Sequence, residues 1–186
     1  MNWYKKSQQD INQQYNQMLQ QSNGVQIIGS GQNEMINIPG STKVIMAKEL
    51  LERVKSRIGP FLTQHGVRSI DTSPVSVANA QGLNISSEPG IIHVDVRKIF
   101  DNARKALPPT AQLDGIGTDP DIINGIVQRV SQFLESEILG TAAHESQHEI
   151  DFHSAWQQGK PFTSIQEAPA EQYEKQIKQR YFPNIK

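Results

Sequence analysis

The longest periodic signal in the chain lies between Ile122 and Ile138. Ile122, Ile123, Ile126, Val127, Val130, Phe133, Leu134 and Ile138 form one apolar stripe at helical spacing, while Gln128, Arg129, Gln132 and Glu135 face away. Asp119-Pro120-Asp121 supplies a start, with proline where a first turn tolerates it. The stripe runs into a second helical segment, Ile138 to Trp156, and Gly140 either breaks the two apart or is passed through. A further stripe of Val44, Ile45, Leu50, Leu51, Val54 and Ile58 follows a candidate N-cap at Ser41-Thr42 and predicts a helix that stops at Gly59-Pro60. Arg97 to Leu107 also reads as helix, up to Pro108-Pro109.

Between these helices the pattern changes period. Val67 to Ile70, Val75 to Asn79 and Ile91 to Val96 are short runs rich in β-branched residues, separated by Pro74, Gly82 and Glu88-Pro89-Gly90. They predict a small, mainly antiparallel sheet, so the fold class is α+β. Residues 1–40 read differently. Ser7 to Gln21 is dominated by Gln and Asn, with Ile11, Tyr15, Met18 and Leu19 spaced for a thin amphipathic helix, and Gly24 to Gly40 is punctuated like a linker or irregular arm. The expected organisation is therefore a leader over 1–40 and one domain over 41–186. Thr110 to Thr118 reads as a surface loop.

Composition narrows the chemistry. The 186 residues carry 18 basic and 19 acidic side chains, a net charge of −1, so no global field recruits nucleic acid or an anionic membrane. No apolar run approaches a membrane span, and the N-terminus runs into glutamine instead of an apolar signal core, which makes the cytoplasm the default compartment. Cysteine is absent, which removes disulfides, thiolate nucleophiles and Cys-ligated zinc together. Any zinc must be held by histidine and carboxylate.

The second helical segment supplies the histidines. His144-Glu145-Ser146-Gln147-His148 is an H-E-x-x-H motif, and on a helix its i, i+4 spacing puts both imidazoles on one face, able to hold a single Zn²⁺ with Glu145 alongside as general base. With five histidines in the chain, such a match arises by chance in about 1% of shuffled sequences. A catalytic zinc also needs a third protein ligand and an open position for water. The metzincin extension would place that ligand six residues after His148, but Ser154 stands there. Glu167-Ala168-Pro169-Ala170-Glu171 offers a carboxylate at the start of a helix expected over Glu167 to Arg180, with Glu171 and Glu174 as competitors. Asp151, seven residues after His144, either orients His148 or caps a solvated turn. His153 reads as a surface histidine paired with Glu149, and Tyr173, His153, His93 and His65 are candidates for a transition-state hydrogen-bond donor.

Two histidines and a glutamate on one helix, followed some twenty residues later by Glu-x-x-Ala-acidic on another, resemble the gluzincin metallopeptidases. The pattern is most similar to the CAAX-prenyl-protease and heat-shock-protease group, and more loosely to small soluble domains of the SprT and ImmA/IrrE types. The resemblance spans Thr141 to Glu174. It implies a zincin-like fold, Zn²⁺ held by His144, His148 and Glu167, and Glu171 supporting the site from behind. It also implies hydrolysis of peptide bonds in a protein or peptide substrate laid along an edge strand. The chain departs from the group in having Glu171 where Asp is usual and in lacking membrane spans. A zincin fold kept for binding, as in a phage or mobile-element component, is the alternative, against which stands Glu145, a base that a purely structural metal does not require. A DNA-associated protease of the SprT kind fits poorly with the balanced charge.

Overall fold

The glycine-punctuated stretch expected to be an irregular arm is a sheet. In a computed structural model, which describes residues 25–77, 80–84, 88–106, 119–159 and 167–185, β1 (Gln26–Ile28), β2 (Met35–Asn37) and β3 (Val44–Met46) pair antiparallel in that order. The register aligns Ile27, Ile36 and Ile45 across the three strands, and Ile36 and Ile45 are buried. The glycines serve the tight connection: Gly29 sits at φ +96°, and a Cβ there would run into the Asn33 carbonyl. The helix expected over Ser7 to Gln21 and the loop Thr110 to Thr118 lie outside the described residues.

The first helix, α1 (Ala47–Gln64), begins later and ends later than its stripe predicted. Val44 and Ile45 belong to β3, and the Ser41 hydroxyl bonds the Lys43 main chain instead of capping a helix. Pro60 lies inside α1, and the last turn stays helical with Leu62 packed in the core. Gly66, at φ +87°, follows the true end.

The second sheet has order β4 (Ser69–Asp71), β6 (Ile91–Val94), β5 (Gly82–Asn84). Its β4–β6 pair is parallel and its β5–β6 pair antiparallel, so this sheet is mixed where an antiparallel one was expected. Residues 75–77 of the expected middle strand are not in a strand, and residues 78–79 lie outside the described set; the strand falls at Gly82, which had read as a separator. The run at Ile91 ends at Val94, because the Asp95 carboxylate accepts the Lys98 N–H at 3.0 Å and opens α2 (Val96–Ala106).

The central element is α3 (Pro120–Gln157), 38 residues or about 57 Å long. Asp119 caps it by accepting the Asp121 N–H at 2.9 Å, and Gly140 is passed through. Ile126, Val130, Leu134 and Ile138 of its stripe are buried against α1, β5, β6 and α2 in one core with Leu50, Val54, Ile92 and Phe100. α4 (Glu167–Tyr181) runs back along α3, and Gly140 permits the crossing, since a Cβ there would collide with the Lys178 stem. Among the described residues no helix is long and apolar enough to cross a membrane.

Candidate metal centre

The middle of α3 presents His144 and His148 one turn apart, with their Nε2 atoms 3.1 Å from each other. Glu167, the first residue of α4, brings Oε2 to 3.2 Å from His144 Nε2 and 3.7 Å from His148 Nε2. Antiparallel packing of α4 on α3 causes this: Ala170 is fully buried at the crossing, and Lys178 reaches back to Glu137 at 2.8 Å. Two imidazole nitrogens and one carboxylate oxygen thus form a triangle. Ligands at 2.0–2.1 Å from a tetrahedral zinc stand about 3.3 Å apart, so these side chains fit such an ion with little movement. His148 Nδ1 is buried and without a hydrogen-bond partner among the described residues, so the partner that usually orients a ring ligating through Nε2 is not among them.

The triangle has a support that the sequence reading assigned elsewhere. Glu171 is exposed and makes no contact with the histidines; Glu174, two turns after Glu167, places Oε2 3.3 Å from His144 Nδ1, at an angle that makes it more ion pair than linear hydrogen bond. Lys178 holds the same carboxylate at 2.9 Å. Glu174 raises the pKa of His144, and in return its own carboxyl is held down to about 2, first by His144 and then by Lys178. His148 moves the other way, lowered by burial and then by the charge of His144.

Glu145 faces the adjoining cleft, a space of about 480 Å³. The residue is 6% exposed, and burial pushes its carboxyl up to about 7. One wall of the cleft is Thr141 with the motif residues, and the other is Val77 with the segment Ala80 to Asn84. β5 lies directly on the helix here: a Cβ on Gly82 would sit 2.6 Å from Glu145 Oε1 and from Thr141 Cγ2. Asp95 N–H donates to Gln81 O at 2.7 Å, which makes 81 and 95 a bonded pair of the antiparallel ladder and turns the main-chain groups of Gly82 and Asn84 toward the free edge.

The four nominated donors do not line this cleft. His65 lies 3.0 Å from Ser146 Oγ and against the Tyr173 ring, while His93 bridges Asp71 and Glu88 at 3.1 Å each. His153 pairs with Glu149 at 2.8 Å as its spacing predicted. Asp151 accepts from Gln147 at 3.3 Å and reaches His148 only through its charge. The residues missed by sequence reasoning are Gly82 and Asn84, neither of which leaves a signal in the sequence; Glu174 was named, but as a competing ligand and not as the partner of His144. In comparisons with known proteins the chain matches no family model, no curated protein and no solved structure.

Proposed function

We propose that this protein is a zinc-dependent metallopeptidase with a gluzincin-like site, acting on internal peptide bonds of a protein or peptide substrate in the cytoplasm. The observation that carries the reading is the convergence of His144 Nε2, His148 Nε2 and Glu167 Oε2 within 4.8 Å of one another, beside the buried carboxylate of Glu145. Zinc held by His144, His148 and Glu167 would supply the Lewis acid that acidifies a water and polarises a carbonyl.

The chain's own residues do the rest. Glu145, held near neutrality by its burial, takes the proton of the attacking water and returns it to the leaving nitrogen; a base is most effective when its pKa lies close to the working pH. Glu174 fixes the His144 ring from its far side. Among the described residues β5 is the edge of its sheet, and its outward main-chain groups would meet an extended substrate, a mode that reads backbone more than side chains.

Metal analysis of purified protein beside a casein-cleavage assay tests this. We expect about one zinc per chain in both wild type and Glu145→Gln, with cleavage only in the former. Wild type that binds no zinc after refolding with excess metal would overturn the proposal. Zinc bound without any cleavage would instead favour a zincin-like fold kept for binding.

A further inference from the structure

One residue of α3 has no part in the chemistry above, yet its burial demands a reason. Glu149 follows His148 directly and is 0% exposed, and a carboxylate is costly to bury unless every lone pair is used. Its Oε1 accepts the Gly90 N–H at 2.7 Å and faces His153 Nε2 at 2.8 Å; its Oε2 accepts from Asn84 Nδ2 at 2.7 Å. An apolar side chain would fill the space without that cost. What Glu149 adds is direction, because two of its three partners belong to the second sheet.

Those partners control the cleft wall. Gly90 lies in the turn before β6, and its carbonyl accepts from Arg68 and Ser69 at 2.7 and 3.2 Å, so the bond to Glu149 fixes both β4 and β6 over α3. Asn84 ends β5, the strand whose Gly82 lies directly against Glu145 Oε1. One short strand thus links the side chain of Glu149 to the carboxylate of Glu145, four residues apart on one helix. We infer that Glu149 is a positioning residue of the site, acting through Asn84 to hold edge strand β5 in place against Glu145. The inference rests on the peptidase reading for its effect on turnover.

The atoms suggest a test that a merely structural role would fail. Asn84→Asp sets two carboxylates face to face, and Glu149→Gln sets two amide NH₂ groups face to face. The double variant reverses the donor and acceptor of this one bond while Oε1 of residue 149 keeps its other partners. With zinc-loaded full-length protein and fluorescein-labelled casein, we expect each single variant to lose kcat per zinc-loaded molecule by roughly 10- to 100-fold, with KM within about 3-fold. The double variant should return to within about 3-fold of wild type. Amide hydrogen exchange provides a readout independent of turnover: Leu83, whose N–H faces β6, should exchange about 10-fold faster in the single variants and recover in the double, with α3 protected throughout.

Should the single variants fold poorly, Asn84→Ala leaves Glu149 two donors and should still lower kcat by about 5- to 10-fold with faster β5 exchange. Single variants that only melt earlier, with unchanged kcat and β5 exchange, would overturn the inference, as would a double variant no better than the worse single. A zinc-loaded wild type that does not cleave casein overturns the peptidase reading and the effect on turnover with it. A wild type that cleaves, beside variants that cleave equally well, overturns the role of Glu149 alone.

Discussion

The two halves of α3 bury carboxylates in opposite ways. In the half that follows Pro120, Glu135 is 4% exposed and meets two guanidinium groups of α1, Arg57 Nε at 2.7 Å and Arg53 Nε at 2.9 Å. In the motif half, Glu145 meets no Lys or Arg among the described residues, while Glu149 is met by an amide, a main-chain N–H and an imidazole. Arginine ties Glu135 to α1 by charge, whereas an amide and a main-chain N–H hold Glu149 by direction. One helix is therefore a structural tie along its first half and carries, along its second, the residues we propose for the chemistry.

The contrast breaks most severely at Glu145. Glu145→Gln is expected to lower casein cleavage by about 10³-fold with zinc content unchanged. Replacing the arginine-tied carboxylate, as in Glu135→Gln, should leave kcat per folded molecule at the wild-type level, and a loss of kcat there would erase the division between the halves. Next in size is metal affinity, read by competition with a chromogenic chelator. Glu167→Ala should weaken zinc binding by more than about 100-fold and Glu174→Ala by about 10-fold, since one removes a donor atom and the other only the partner of His144. The reverse order would reassign the third donor.

Stability tests follow. Arg53→Met with Arg57→Met leaves Glu135 buried and without its cations, which should cost about 3 kcal/mol in urea unfolding. The pH dependence of the metal-free protein sharpens the same comparison from the other half. Because the folded pKa of Glu145 is raised, from 4.5 to about 7, the folded state holds this proton over that range and the unfolded state does not. Its contribution is fully present below 4.5 and is lost as pH rises through 7. Relative to Glu145→Gln, wild type should lose about 3 kcal/mol between pH 4 and 8. A pH-independent difference would show that Glu145 is ordinary.

How far these roles were legible in the sequence depended on length and on side-chain chemistry. The stripe from Ile122 to Ile138 and the cap at Asp119 were plain because many residues repeat one signal. His144, Glu145, His148 and Glu167 could be named because the chemistry restricts the residue types; the structure draws both imidazoles and Glu167 together, although a helix and a gap separate them in sequence. Strands β1 and β2 were hidden because three residues are too few to show a period. β5 was hidden for a different reason. Its key position, Gly82, is defined by a side chain that must be missing, and a glycine reads equally well as a break. Glu171 was given the supporting role by the resemblance, whereas Glu174, seven residues after Glu167 and so on its face of α4, is the carboxylate that reaches His144.

Gly140, like Gly82, acts through the side chain it lacks. Its bare Cα lets the stem of Lys178 lie across α3. A methyl group at position 140 would push that flexible stem aside, and with it the ammonium that Glu137 and Glu174 share. The change would reach His144 through Glu174, as a partner loosened and not as a helix displaced.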